Sequence, residues 1–194
     1  MLVTNVLRMS SRAARTAERL QSCALELFAQ HGFDHVTVDE IARAADVSHM
    51  TFFRHFPTKE AVLLDDPYDP AIGAAVSAQN ATLPPLERVR RGLLTAWSSV
   101  PEAASADTRT RIAIVAGHSG LRAKSWQNMQ RTEEVIVDAL TGDGTPRQDA
   151  VVAAGACLGA LMAALLEWGL SPGDAALGTR IRSALEMLGT GAGE

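Results

Sequence analysis

Apolar residues recur three or four positions apart along almost the whole chain, and this helical period constrains the fold more than any other feature. Ala17, Leu20, Ala24, Leu27 and Phe28 form one stripe, Leu86, Val89, Leu93 and Trp97 a second, and Trp126, Met129, Ile136 and Leu140 a third. No alternating run of β-branched residues is long enough to build a sheet, so the expected fold class is all-α. With 194 residues, 47% of them hydrophobic, the chain can bury a sizeable core without metal or disulfide support. The first helix is expected from about Ser11 to Gln30, with Gly32 placed to end it. Pro67 and Pro70 in "DDPYDP" stop a fourth helix and turn the chain, which marks a module boundary. Beyond them helices are expected over 72–80, 85–100, 107–118, 121–141, 147–169 and 173–188, separated by Pro84-Pro85, Pro101, Gly117 to Gly120, Gly142 to Pro146 and Gly169 to Gly173.

Several function classes find no support. Cys23 and Cys157 have no second Cys or paired His at ligand spacing, so neither a zinc site nor a disulfide framework is expected and a reducing cytoplasm is the natural compartment. The opening "MLVTNVLRMSSRAAR" reaches Arg8 after only a brief apolar run, too short for a signal peptide. Met9 is an alternative start, which would make the first eight residues a disordered extension, and residues 1–10 are set apart as an N-terminal extension to the first module. The most apolar window has 17 uncharged residues between Asp149 and Glu167, half of them Ala or Gly, which favours a helix buried against other helices over a membrane anchor. No nucleophile, base and orienting group assemble at recognisable spacing, so no enzyme, no catalytic residue, no metal and no cofactor is expected. The net charge of -4 belongs entirely to residues 61–194, while residues 1–60 balance seven Lys or Arg against seven acids and hold four of the five histidines. A nucleic-acid partner needs only a local basic face.

Chemistry concentrates in residues 37–63, "TVDEIARAADVSHMTFFRHFPTKEAVL". Thr37-Val38-Asp39-Glu40 fits a capping box, in which the Thr hydroxyl accepts from the third helical amide and the Glu reaches back to the cap amide. Asp46 occupies a turn position that calls for positive φ, and Ser48 is placed to cap a short second helix from about His49 to His55. Two short helices joined so tightly match a helix-turn-helix, whose second helix enters the major groove. Phe52 and Phe56, four apart, are expected to lock that helix inward and leave His49, Met50, Thr51, Phe53, Arg54 and His55 around its outer surface. Thr58 then caps the next helix with Lys59 in its first turn, where free amides favour a phosphate.

This stretch resembles the DNA-binding signature of the TetR family of one-component transcriptional regulators, over about residues 12–64. It is similar to actinobacterial members that include mycofactocin-associated regulators. The resemblance implies a three-helix helix-turn-helix module, 11–66 with its linker helix, followed by a larger helical ligand-binding and dimerisation domain, 67–194. It implies DNA-backbone contacts for Thr37, Phe53, His55 and Lys59 and base contacts for His49, Met50 and Thr51, with Ser48 and Arg54 in the same interface. Arg12 and Arg15 on the first helix are further candidates for DNA proximity. Phe53 departs from the family's frequent Tyr and so lacks a hydroxyl donor to phosphate; Asp46 replaces its usual Gly.

The second module is read from periodicity. In the helix near 147–169, Gly155 and Gly159 permit close helix approach, and Leu158, Leu161, Met162 and Leu165 offer contact area; Ile181 and Leu185 follow in the last helix. These are expected either as a four-helix dimer interface or as the chain's own core, with family resemblance favouring the dimer. Leu93, Trp97, Trp126, Met129 and Glu133 are the candidates for a mainly apolar pocket, although Glu133 equally fits an Arg partner or the edge of its stripe. The expected function is therefore a transcriptional regulator, a repressor, that binds a palindromic double-stranded DNA operator as a homodimer and is released by a small apolar effector, with no membrane involved. The alternative is a small-molecule or acyl-chain binding helical protein with no sequence-specific DNA function.

Overall fold

The computed structural model describes residues 2–65, 69–99, 106–171 and 176–189, with side chains from residue 12 onward. Pro67, Val100, Pro101, Gly173 and the side chain of Arg8, singled out from the sequence, lie outside the described residues. Among the described residues all regular structure is helical, and the chain divides into two compact units, Met1–Asp65 and Asp66–Glu194.

The first unit holds α1 (Leu2–His31), α2 (Val38–Ala44), α3 (His49–His55) and α4 (Ala61–Leu64). α1 begins well ahead of Ser11 and ends where expected: Gly32 takes φ +82° and its N–H closes onto the Phe28 carbonyl at 2.9 Å. α1 packs against each of the other three helices, and Leu20, Ala24, Phe28, Ile41, Phe52, Phe56 and Val62 form a core between them. Each of the Leu, Ile, Phe and Val side chains among them contributes on the order of 1.5–3 kcal/mol on burial, ample to order helices too short to stand alone.

The second unit comprises α5 (Asp69–Ser77), α6 (Pro85–Ser99), α7 (Ala106–Gly117), α8 (Ser119–Thr141), α9 (Arg147–Leu170) and α10 (Leu177–Glu186). Pro70 does not turn the chain but sits within the first turn of α5, where its missing N–H removes no helical bond. His118 caps α8, its Nδ1 accepting the Leu121 N–H at 3.1 Å. α9 is the central element, packed against α6, α7, α8 and α10, while α5 packs on both α6 and α8. Its buried side chains, Ala150, Ala153, Ala154, Cys157, Leu158 and Trp168, join Val89, Leu93, Ile136, Leu140, Ile181 and Leu185 in one core. By length and composition α9 could cross a membrane, but one such helix is equally the mark of a core helix like this. Two glycines set the spacing: a Cβ on Gly92 would stand 2.8 Å from the Val76 Cα, and one on Gly169 3.0 Å from the Ile112 carbonyl carbon. A fully buried Arg88 reaches Asp143 beyond α8, which ties the start of α6 to the α8–α9 turn.

Candidate nucleic-acid interface

The helix-turn-helix is built by local chemistry. Thr37 accepts the Glu40 N–H at 3.3 Å and donates its own to the Glu40 carboxylate at 2.8 Å, so the capping box is complete. Those bonds from the backbone and hydroxyl of Thr37 hold the Glu40 carboxyl below its ordinary range. After α2 the Val47 N–H returns to the Ala42 carbonyl at 2.9 Å, and Asp46 takes φ +49°, the left-handed conformation its position demands. Ser48 Oγ accepts the Thr51 N–H at 3.1 Å and starts α3.

α3 turns Phe52 fully inward, with the Phe56 ring behind it at 5.9 Å, and leaves an outward face of His49, Met50, Phe53 and Arg54. Met50 is 72% exposed and Phe53 40%, a large apolar offering for a helix of seven residues. Arg54 is exposed with no ion-pair partner among the described residues. Thr51 and His55 are half-buried, the Thr51 hydroxyl bonded to Ser48 Oγ at 2.9 Å. Arg12 and Arg15 are exposed on α1.

Two residues have partners that the sequence does not foretell. Lys59, expected at phosphate, places its ammonium on the carbonyls of Phe33 and Val36, at 2.8 and 3.0 Å, and 4.2 Å from the centre of the Phe33 ring. In the free protein it therefore ties the α1–α2 connection, the loop that carries Thr37, to the segment just ahead of α4, and it lies outside the first turn expected for it. His49 turns its Nδ1 to the carboxylate of Asp39 on α2, and its ring lies 4.8 Å from that of Phe53. Asp39 drew no attention in the sequence because its partner is ten residues away and across the turn.

In the second unit the candidate pocket residues are dispersed. Leu93 is core, Met129 and Trp97 are half-buried against it, and the Trp97 indole nitrogen points at Gly178 of α10. Trp126 is half exposed, and α6 and α8 each pack on α5 and α9. Glu133 borders a surface cavity with Gln130, Glu134, Val137, Arg147 and Val151. The dimer candidates divide, and three need correcting. Leu158, Ile181 and Leu185 are at most 2% exposed in the single chain, so they belong to its own core and have no surface to offer a partner. Leu165 also packs on that core. Gly155 is exposed and Gly159 and Met162 are half-buried, and none of the described residues approaches the Cβ position of Gly159 within 4 Å.

Comparison with known proteins agrees with this geometry. The model of the bacterial regulatory proteins of the tetR family matches residues 22–65, and that of the MftR C-terminal domain matches residues 83–193. The chain is 44% identical over 75 residues, 38% of its length, to the helix-turn-helix transcriptional regulator TcmR of Streptomyces glaucescens, covering 33% of TcmR. It is 44% identical over 55 residues, 28% of each chain, to MftR of Mycobacterium tuberculosis, named as a regulator of mycofactocin biosynthesis. The chain thus spans about a third or less of the length of the curated relatives it matches. The structure of Thermus thermophilus FadR, a TetR-family transcriptional repressor in complex with lauroyl-CoA, shares the fold with a TM-score of 0.53 at 23% identity, covering 92% of this chain and 95% of that one. The chain belongs to the TetR family of bacterial regulatory proteins, with a second domain of the MftR type.

Proposed function

We propose that this chain is a cytoplasmic transcriptional repressor that binds a palindromic operator as a homodimer and leaves it when a small, mainly apolar ligand binds. The observation that carries the DNA-binding part is the outward face of α3, where His49, Met50, Phe53 and Arg54 are displayed by a helix whose inner side is locked by Phe52. A major groove admits such a helix and offers thymine methyl groups to Met50 and Phe53 and acceptor edges to Arg54. Ser48 and Thr51 begin the helix beside them, and Thr37 and His55 flank it for the DNA backbone. Lys59 holds the Thr37 loop in place and has one further N–H to give a phosphate.

The homodimer rests on α9. Val152, Gly155, Ala156, Gly159 and Ala163 follow one another at helical spacing on its outward side, and a run of small and apolar residues facing out is what a second copy would cover. Gly155, Gly159 and Met162 fall on or beside that seam, and Leu165 borders it from within. For the effector, the lauroyl-CoA of FadR supports an apolar ligand within the second unit, whose binding would have to draw together Leu93, Trp97, Trp126, Met129 and Glu133.

Selection from randomised duplexes tests the proposal: the full chain should enrich two-fold related half-sites about one helical turn or more apart. Its affinity should fall steeply with salt, by about 0.9 of a logarithmic unit per neutralised phosphate and logarithmic unit of salt. Enrichment of nothing beyond bulk DNA, or full affinity for one unpaired half-site, would refute it and favour the alternative of a small-molecule binding protein.

A further inference from the structure

The hydrogen bond between His49 and Asp39 has no stabilising purpose to explain it. The imidazole is 54% exposed and the carboxylate 65%, and pairs so open to water contribute little to folding. What the pair does fix is direction. A carboxylate only accepts hydrogen bonds, so the hydrogen of a neutral His49 must sit on Nδ1, and Nε2 is left as a bare acceptor. The Phe53 ring lies 4.8 Å from the imidazole, tilted against it, and Nε2 has no partner among the described residues. Arg43, Asp46 and Ser48 border the same groove as the pair, but none of them bonds to the ring.

We propose that Asp39 is a positioning residue for base recognition: through Nδ1 it sets the tautomer and orientation of His49, so that Nε2 reads an amino group in the major groove. Only adenine, at N6, and cytosine, at N4, present a donor there, whereas guanine and thymine present acceptors. The specificity at this position is thus set from α2. The inference rests on α3 being the reading helix.

Two measurements test it on the full chain. Long-range proton–nitrogen correlation spectra of His49 in wild type should show hydrogen on Nδ1, and Asp39→Ala should move the ring toward the Nε2–H form. In selection from randomised duplexes, wild type should prefer one base pair at one position of each half-site, and replacing its adenine by purine or its cytosine by 2-pyrimidinone, which removes only the amino group, should cost the same affinity as losing His49. His49→Ala should lose that discrimination by about five- to 150-fold, the range of one good base contact. Asp39→Ala should relax the same position and leave the others intact. Asp39→Ser is the second variant should the alanine chain fold poorly, since its side chain is too short to reach the ring. Hydrogen on Nε2 in wild type, full affinity after removal of the amino group at the His49-dependent position, or unchanged selection by Asp39→Ala would each overturn the proposal alone. A wild-type chain that selects no sequence would remove the DNA-binding conclusion, and this one with it.

Discussion

Asp46 holds a backbone conformation that costs an L-residue about 1–2 kcal/mol. Its side chain is exposed, and the turn needs only the dihedral angle. Asp46→Gly should therefore stabilise the first unit by about 0.5–1 kcal/mol, the relief of strain less the extra freedom glycine gains when unfolded. Urea unfolding of both proteins measures this, and a glycine variant that unfolds at lower urea would show that Asp46 makes a contribution its geometry does not reveal. Much of the helix-turn-helix was legible residue by residue for the same reason. A capping box, a left-handed turn position and a Ser at the head of a helix are local devices, complete within four or five positions. Lys59 and Asp39 were not legible at that range. Lys59 meets carbonyls 23 and 26 residues away, and Asp39 meets His49 across a turn, so their partners exist only once the helices have packed.

Within α6 one residue organises the outer face. Glu87 binds Arg90 through two bonds of 2.7 Å and Arg91 through a third. The Arg90 bond, opposed by burial and aided by Arg91, brings its carboxyl from an ordinary value near 4.5 down to about 2. Because the folded value is the lower one, this stabilisation is complete above the ordinary value and is lost as pH falls through the window from about 4.5 to about 2. Urea midpoints across that window should fall more steeply for wild type than for Glu87→Gln; parallel curves would mean the pair is too hydrated to matter. The inner face is set by Gly92, whose missing side chain lets α6 touch the Val76 backbone of α5. Gly92→Ala should cost about 1–3 kcal/mol by forcing those helices apart, against the usual gain of alanine in a helix. Thermal melting decides the sign, and a rise in melting temperature would mean that α5 yields easily. Periodicity located both helices but could not say which apolar face meets which neighbour. Leu158, Ile181 and Leu185 show this limit, since a stripe destined for a partner and a stripe destined for the chain's own core have the same spacing.

At the scale of the whole molecule, the outward side of α9 makes a clear demand on assembly. Ala156 is exposed there, away from the core, so Ala156→Glu should leave the fold intact while placing a carboxylate on the proposed seam. Sedimentation should then find a monomer of 20.6 kDa where wild type is a dimer, with a matching loss of operator affinity. A variant that remains dimeric would move the interface elsewhere. The opposite side of the same helix carries Cys157, fully buried, with its sulfur 3.8 Å from the Leu86 carbonyl and its thiol pushed up to about 12, chiefly by burial. Only a thiolate reacts with alkylating reagents, so this sulfur is silent while the second unit is closed. Its rate of alkylation in native buffer is therefore a clock for how often that unit breathes open, with Cys23→Ser removing the competing thiol. A ligand that prefers the closed unit should slow the clock by the factor its binding stabilises that state, which would let candidate effectors be ranked before any operator is known.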